Sequence, residues 1–305
     1  MLFNMEKQKI PSKILSEKYI VPPFSVFNTH QPYWKDRMIM WRDMGFCGTN
    51  GRVTGMNGLS YDNRRIDKHK KKAINGTSTF NPVLTEIIYK WFVVPGGTVY
   101  DPFAGGITRG GIAAVLGLNY TGIDVNPIQV QDNQEKWLKM ANKWDIKGSS
   151  EWVCADSVKY EPDKLYDLVF TCPPYYNLEV YSDNPADLST KTDYFDFLDS
   201  YAKVLGNSYF SLKWDSFMVV VVSDVRDKET TAYYGLVADT IKLCQLAGLQ
   251  FYNEIILYNE TGNLAIVSGD YMDKARKVGR QHQNVLVFYK GDPKQIRNKF
   301  MPIEV

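Results

Sequence analysis

The sequence has few of the features that mark membrane, secreted or metal-binding proteins. The longest uninterrupted apolar run among its 305 residues covers only positions 217–222, which is far too short to span a bilayer. The first residues mix Glu6, Lys7 and Lys9 with polar side chains and offer no apolar signal core, so we do not expect secretion. The four cysteines and three histidines show neither metal-ligand spacing nor a disulfide framework. These absences favour a metal-free protein of a reducing cytoplasm, with no membrane partner.

The charge is unevenly distributed along the chain. Hydrophobic residues make up 44% and charged residues 23%, as is ordinary for a soluble globular protein, and the net charge is +2. Residues 1–75 nevertheless carry 14 Lys and Arg against 6 Asp and Glu, whereas the remainder carries 22 against 28. A basic segment on an acidic body favours a polyanionic partner, and a solvated lysine-rich surface is the alternative.

Apolar segments that fit strands alternate with helical patterns over residues 77–292. This alternation is typical of an α/β protein with a doubly wound, mostly parallel sheet. We expect helices at 82–92, 107–116, 127–142, 193–206 and 234–247, and strands at 98–100, 120–124, 151–154, 168–170, 217–222, 249–258 and 284–289. Residues 1–76 are expected to form an irregular, basic and aromatic-rich N-terminal extension, and residues 293–305 a C-terminal tail.

A glycine-containing loop, Asp101-Pro102-Phe103-Ala104-Gly105-Gly106, lies between a predicted strand and a predicted helix. Glycines at such a place let the backbone approach a ligand closely. The spacing is not that of a dinucleotide-binding loop, and no lysine–threonine pair follows as in a phosphate-binding loop. The loop therefore predicts a ligand that is not gripped by its phosphates.

Three carboxylates follow successive predicted strands: Asp101, Asp124 and Asp156. In doubly wound folds, acids at these positions accept hydrogen bonds from ribose hydroxyls, and Asp156 is placed to accept from an adenine amino group. Each of these aspartates, taken alone, is equally well explained as part of a turn or as a helix cap. The expected ligand therefore carries a nucleoside but is not bound through phosphate groups, which indicates S-adenosylmethionine as the cofactor.

The sequence Thr171-Cys172-Pro173-Pro174-Tyr175 directly follows an apolar run. Two prolines fix φ and remove two backbone donors, so neither a helix nor a strand ladder continues through them. We expect a rigid turn with unpaired carbonyls beside an aromatic ring, at the edge where open α/β sheets bind ligands. Such a turn suits the capture of a planar amino group; an ordinary surface turn is the alternative.

Five motifs together resemble the ordered motifs of S-adenosylmethionine-dependent DNA amino-methyltransferases, including those of phages and restriction–modification systems. They are Phe80-Asn81-Pro82, the glycine loop at 101–106, Gly122-Ile123-Asp124, Ala155-Asp156 and Cys172-Pro173-Pro174-Tyr175. The resemblance covers roughly residues 78–290. It implies a Rossmann-like class I methyltransferase fold whose seven-stranded sheet ends in an antiparallel strand. It also implies cofactor contacts from Phe80, Asn81, Pro82, Asp101, Phe103, Ala104, Gly105, Gly106, Asp124 and Asp156.

Two departures from the family pattern stand out. The residue before Pro-Pro-Tyr is usually Asp, Asn or Ser, and here it is Cys172. Few residues follow the last predicted strand, so recognition is expected from residues 1–76, 176–192 or 260–283. The resemblance implies transfer of a methyl group to N6 of adenine or N4 of cytosine in DNA, and the choice of base stays open.

At the catalytic turn, the Pro173 carbonyl and the Cys172 side chain are expected to accept hydrogen bonds from the amino group. This would free a nitrogen lone pair that is otherwise conjugated into the ring. Tyr175 is expected to stack on a base that has left the duplex. A Cys172 nucleophile attacking a cytosine carbon is disfavoured, because that chemistry does not call for a Pro-Pro-Tyr turn.

Basic side chains in two clusters are the expected DNA contacts: Arg64, Arg65, Lys274, Arg276, Lys277 and Arg280. A bacterial cell or a phage-infected host is the expected location, with a homodimer and a cognate restriction nuclease as further partners. Three alternatives remain open: RNA base methylation, methylation of protein glutamine, and a catalytically degenerate methylase that binds DNA as a scaffold.

Overall fold

The computed structural model describes residues 12–45, 79–176, 178, 181–182, 184–259 and 264–303. The eight strands within these residues are β1 Val26–Asn28, β2 Thr98–Asp101, β3 Asn119–Asp124, β4 Ser149–Cys154, β5 Tyr166–Thr171, β6 Leu212–Val222, β7 Gln250–Tyr258 and β8 His282–Lys290. The α-helices there are α1 Ser12–Tyr19, α2 Pro32–Asp43, α3 Pro82–Phe92, α4 Thr108–Val115, α5 Pro127–Ala141, α6 Tyr194–Ser211, α7 Leu236–Leu246, α8 Leu264–Ala275 and α9 Ile296–Lys299.

The strands form a single sheet in the order β4-β3-β2-β5-β6-β8-β7-β1. Neighbouring strands are parallel except for β8, which is antiparallel to both β6 and β7. The predicted doubly wound sheet and its antiparallel last strand are confirmed. The expected number of seven strands is wrong, because β1 adds an eighth, parallel to β7 at the edge. A strand of three residues is too short to show an alternating pattern in the sequence.

The N-terminal segment is not irregular where the structure describes it. Residues 12–43 contain α1, β1 and α2, and the side chains of Trp34 and Trp41 are buried in the main core. The Trp41 indole donates a hydrogen bond to Glu86 on α3 at 2.8 Å, and Arg37 forms an ion pair with the same carboxylate. This part of the predicted extension therefore belongs to the body of the fold.

Two further differences concern helices: one continues beyond its predicted end, and one lies where the sequence predicts no helix. The helix that begins after Asp193 continues through Gly206 to Ser211, so the predicted stop at Gly206 is wrong. Gly206 does not have the positive φ of a C-terminal glycine cap, and a helical glycine is tolerated where neighbouring side chains bury the helix. Helix α8 was not predicted within the stretch 260–283, and none of its described side chains is buried.

The helices cover both faces of the sheet, so successive residues of β6 enter different clusters. Phe217, Val219 and Val221 pack against the side of the sheet that carries α2, α3 and α4. Met218, Val220 and Val222 face the side of α6 and α7. This accounts for the continuous apolar run at 217–222 in the second half of β6. No helix in the described part of the chain is long and apolar enough to cross a bilayer.

Candidate active site at the carboxyl edge of the sheet

The predicted motifs meet at one edge of the sheet because parallel strands end on the same side. β2 ends at Asp101, β3 at Asp124, and β5 at Thr171 directly before the Pro-Pro-Tyr turn. The antiparallel β8 begins at this same edge with His282. Ligands of open α/β sheets bind at this edge.

The carboxylate of Asp101 joins the two main motifs. Its Oδ1 accepts hydrogen bonds from the Thr171 hydroxyl at 2.8 Å and from the Phe103 N–H at 3.2 Å. Its Oδ2 accepts from Arg109 Nε at 2.6 Å and from the Tyr120 hydroxyl at 2.8 Å. The residue is fully buried. The sequence predicts Asp101 as a cofactor contact, but its side chain is engaged within the protein, where it ties the glycine loop to the start of the Pro-Pro-Tyr turn.

Arg109, on α4, stabilises the glycine loop through hydrogen bonds to its backbone carbonyls. One of its terminal nitrogens donates to the carbonyls of Phe103 at 2.6 Å and Ala104 at 3.0 Å. The guanidinium is almost fully buried, and its carbon lies 4.4 Å from the centroid of the Phe80 ring. Burial disfavours the charged form, but the Asp101 carboxylate outweighs it and raises the pKa of Arg109. Sequence reasoning missed this residue; the available signal is an arginine inside a helix of otherwise small and apolar residues.

The loop leaves open space at its two glycines. Gly105 has φ +52°, in the left-handed region, and no atom of the described residues lies within 4 Å of a Cβ built on Gly105 or Gly106. The Gly105 N–H donates to Asp124 at 3.0 Å, and the Gly105 carbonyl accepts from the Asn133 side chain at 2.7 Å. The glycine at 106 is therefore not required by protein packing, and the backbone there is accessible to a ligand.

Asp124 lies beside this open backbone and is half-buried. Each of its oxygens accepts one backbone hydrogen bond, from Gly105 at 3.0 Å and from Asn126 at 2.8 Å. A carboxylate offers about four lone-pair positions, so acceptor capacity remains for a ligand hydroxyl. Burial raises the pKa of Asp124 to about 6, against these two backbone bonds, which lower it.

The predicted cofactor residues outside the loop, other than Asp124, follow β4 or lie at the start of α3. Asp156 follows β4, is half-buried, and accepts a hydrogen bond from the Val158 N–H at 2.9 Å. The Phe80 ring packs edge-on against the Phe170 ring, with the two ring centroids 5.6 Å apart. Asn81 caps α3 by accepting from the N–H groups of residues 83 and 84, and Pro82 is buried at the first helical position. Asn81 and Pro82 thus have structural roles that their positions explain.

The Pro-Pro-Tyr turn leaves its first proline carbonyl, that of Pro173, without a donor among the described residues. Pro173 is buried, and Pro174 is half-buried. Tyr176, the next residue, has φ +52°, a conformation that is costly for a bulky side chain. Its hydroxyl donates to the Thr192 carbonyl at 2.6 Å. Strain that is held by surrounding contacts is characteristic of functional sites.

Tyr175 is held by a residue that sequence reasoning missed. The Gln283 side chain on β8 donates to the Tyr175 hydroxyl at 2.8 Å, and the Cys172 sulfur lies 3.5 Å from the same oxygen. Burial raises the pKa of Tyr175 well above its usual range. The phenol is therefore neutral at physiological pH and fixed in position. Gln283 lies 108 residues from Tyr175 in the sequence, so no local signal identifies it.

The predicted DNA contacts do not form one group. Arg64 and Arg65 lie outside the described residues. Lys274 is exposed and paired with Asp270 at 2.7 Å, and Arg276 and Lys277 follow it at the end of α8. Arg280 is separate from them: it is half-buried, donates to Asn284 at 2.6 Å and lies 3.5 Å from Asp224.

The strand order and the single antiparallel strand agree with the expected fold. The chain has an α/β fold with a doubly wound, mostly parallel eight-stranded sheet. No family model and no curated protein matches it.

Solved structures of low identity match about two thirds of this chain. One is a TehB-like SAM-dependent methyltransferase from Corynebacterium glutamicum, at 15% identity over 68% of this chain and 86% of that chain, with a TM-score of 0.42. A second is a methyltransferase from Pyrococcus furiosus, at 16% identity over 70% and 85%, with a TM-score of 0.44. A third is the N-methyltransferase NodS from Bradyrhizobium japonicum in complex with S-adenosyl-L-homocysteine, at 13% identity over 68% and 83%, with a TM-score of 0.40. Likeness at this level says nothing about substrate, so the functional argument depends on the site itself.

Proposed function

We propose that this protein transfers a methyl group from S-adenosylmethionine to the exocyclic amino group of adenine or cytosine in DNA. The observation that carries the proposal is the hydrogen bond between Thr171 and Asp101 at 2.8 Å. It connects the glycine loop to the Pro-Pro-Tyr turn, so a cofactor at one is adjacent to an amino group at the other. Proximity of the two reactants supplies a large part of the rate enhancement.

The glycine loop and two strand-end acids fit S-adenosylmethionine. The space beside Gly105 and Gly106 admits a ligand against the backbone, and Asp124 has acceptor capacity for ribose hydroxyls. We expect Asp156, which is half-buried after the next strand, to accept from the adenine amino group. When bound, the cofactor supplies a methyl group on positively charged sulfur, which is the electrophile that an amino nitrogen requires.

The Pro-Pro-Tyr turn activates that nitrogen. The Pro173 carbonyl accepts one amino N–H and favours a pyramidal nitrogen whose lone pair is free. Because the prolines fix the turn, little reorganisation accompanies the reaction. The ring of Tyr175, held by Gln283, stacks on the base. Cys172 is a weaker second acceptor than a carboxylate.

Isotope-labelled S-adenosylmethionine offered separately to DNA, RNA and ribosomal protein tests the proposal. We expect label in DNA, at N6 of adenine or N4 of cytosine after nucleoside digestion. Label only in RNA or only in protein would reassign the substrate. Calorimetry that detects no cofactor binding would favour a degenerate scaffold instead.

Cofactor affinity is expected to fall as the pH is lowered through about 6, the raised pKa of Asp124. A ribose hydroxyl donates to the ionised carboxylate, so binding favours deprotonation and protons are released near that pH. Asp124→Ala is expected to weaken binding by roughly 1–3 kcal/mol at pH 8 and to remove this pH dependence. Calorimetric titrations between pH 5 and 8, compared in two buffers of different ionisation enthalpy, measure both effects. A variant that keeps the wild-type pH profile would contradict the assignment.

Gly106→Ala is expected to weaken cofactor binding roughly tenfold without lowering the melting temperature. The added methyl meets no described protein atom within 4 Å and occupies only the space assigned to the ligand. Gly206→Ala, within α6, is the matched control because its Cβ is equally unobstructed. It should leave cofactor affinity unchanged. Equal cofactor affinity in both variants would place the ligand elsewhere.

A further inference from the structure

A cavity opens at the carboxyl edge of the sheet, at the start of β8. It has a volume of about 430 Å³ and is lined by the ends of β7 and β8 and by the segment after β6. Its polar and aromatic lining residues are Arg226, Tyr233, Tyr258, Arg280, Gln281 and His282. We refer to it as the arginine cavity. Gln283, whose side chain contacts Tyr175, directly follows His282 in β8. Successive side chains of a strand point to opposite faces, so the cavity and the site proposed for the methylated base share this edge of the sheet but lie on different sides of β8.

Two guanidinium groups in the arginine cavity lie against a single aromatic ring. The Arg226 guanidinium carbon is 3.8 Å and that of Arg280 is 5.9 Å from the centroid of Tyr233. Stacking on an aromatic ring orients a guanidinium and leaves its N–H groups available to an anion.

The positive charge in this cavity is only partly compensated. Within the described residues, Arg226 forms no ion pair, and one of its terminal nitrogens donates to the Thr231 carbonyl at 2.9 Å. Arg280 has Asp224 as its counter-ion at a long 3.5 Å, and its buried Nε has no hydrogen-bond partner in the described residues. Burial is the main cause that lowers the pKa of His282; Arg280 lowers it further, while Asp224 and Glu254 raise it.

The cavity also has apolar and aromatic walls. Val26, Ile256 and Val278 contribute aliphatic surface, and Tyr258 contributes a second ring. A cavity that combines aromatic and aliphatic walls with available guanidinium groups suits a nucleobase joined to a phosphate. Its volume is in the range of small-molecule sites.

We propose that the arginine cavity binds the nucleotide that flanks the methylated base, with Arg226 and Arg280 on its phosphate and the apolar wall against its base. The proposal rests on the proposed function, because it requires a DNA strand whose neighbouring base lies at Tyr175. It assigns recognition to the body of the fold.

Two substitutions test the cavity, one by removing a positive charge and the other by adding a negative charge. Arg226→Gln removes a charge, and Arg297→Gln, on the exposed α9, is a control with the same change in net charge. Val278→Glu adds a negative charge at the cavity rim, where the side chain is 69% exposed, and Met301→Glu is its control at a 77% exposed position. Neither cavity substitution buries a new group, and thermal unfolding verifies that each variant is folded.

The measurement is fluorescence anisotropy of a labelled DNA duplex with the full-length protein and S-adenosyl-L-homocysteine, over a series of salt concentrations. We expect Arg226→Gln to weaken DNA binding roughly tenfold and to reduce the slope of log K against log salt by about 0.9, one phosphate contact. Val278→Glu should weaken binding similarly, while both controls and all cofactor affinities stay within about twofold of wild type.

The outcomes separate this inference from the function on which it rests. Cavity variants that match their controls, while the wild type binds and methylates DNA, would overturn the cavity assignment alone. A wild type that neither binds nor methylates DNA would overturn the proposed function and this inference with it. Loss of RNA binding but not DNA binding in the variants would overturn the assignment to DNA.

Discussion

Replacing Arg109 with methionine is expected to lower the free energy of unfolding by about 3–5 kcal/mol. The substitution removes the cation that lies 2.6 Å from Asp101 and leaves this fully buried carboxylate without its counter-charge. The Phe103 and Ala104 carbonyls lose their donor at the same time. Removal of one partner from a buried pair is costly because the remaining charge has neither water nor an ion to stabilise it.

Chemical denaturation followed by circular dichroism measures this effect. Lys136→Met is the matched control, since Lys136 pairs with Asp132 at 2.6 Å on a partly exposed helix face. That pair is expected to contribute less than about 1 kcal/mol. The double variant Arg109→Met, Asp101→Asn should be more stable than Arg109→Met alone, because the buried charge is removed. A loss in Arg109→Met no larger than that in the control would show that Asp101 does not depend on Arg109.

The pair has a functional consequence beyond stability. Asp101 bonds Thr171 on β5 as well as Arg109 on α4, so a single carboxylate fixes the position of both motifs. Loss of Arg109 should therefore disturb the cofactor loop and the catalytic turn together. Sites that require alignment of two reactants are sensitive to displacements of about 1 Å.

Sequence reasoning succeeded where the physical cause is local. Helix α3 has the predicted bounds, and its start is set by the Asn81 cap and by proline at its first position. The continuous apolar run in β6 identified a strand covered on both faces. In each case the deciding residues lie within one element or one turn.

Sequence reasoning failed where the deciding contact is distant or the element is short. The sequence does not reveal the hydrogen bonds of the Asp101 carboxylate, because its partners Arg109, Tyr120 and Thr171 come together only in the folded chain. Strand β1 is three residues long and is defined by its pairing with β7 rather than by its own pattern. The sequence predicts that the helix ends at Gly206, but tertiary packing of α6 outweighs the low helix propensity of one glycine.

The second large effect is expected at Tyr175. Tyr175→Ala should reduce methyl transfer to DNA by about a thousandfold or more, because stacking on the base and alignment of its amino group are lost together. Cofactor affinity should be nearly unchanged, since the ring is proposed to contact only the base. Single-turnover methylation with labelled cofactor measures the rate, and calorimetry measures cofactor binding.

Two conservative variants separate stacking from positioning at this residue. Tyr175→Phe keeps the ring but loses the hydroxyl that accepts from Gln283 at 2.8 Å, and Gln283→Met removes the donor from the other side. Both should retain most of the stacking, so both should be far more active than Tyr175→Ala and should be impaired to a similar degree. If Tyr175→Phe were as inactive as Tyr175→Ala, the hydroxyl rather than the ring would carry the function, and the stacking role would be wrong. If Tyr175→Ala weakened cofactor binding as strongly as Asp124→Ala, the division of the site into a cofactor loop and a base-binding turn would fail.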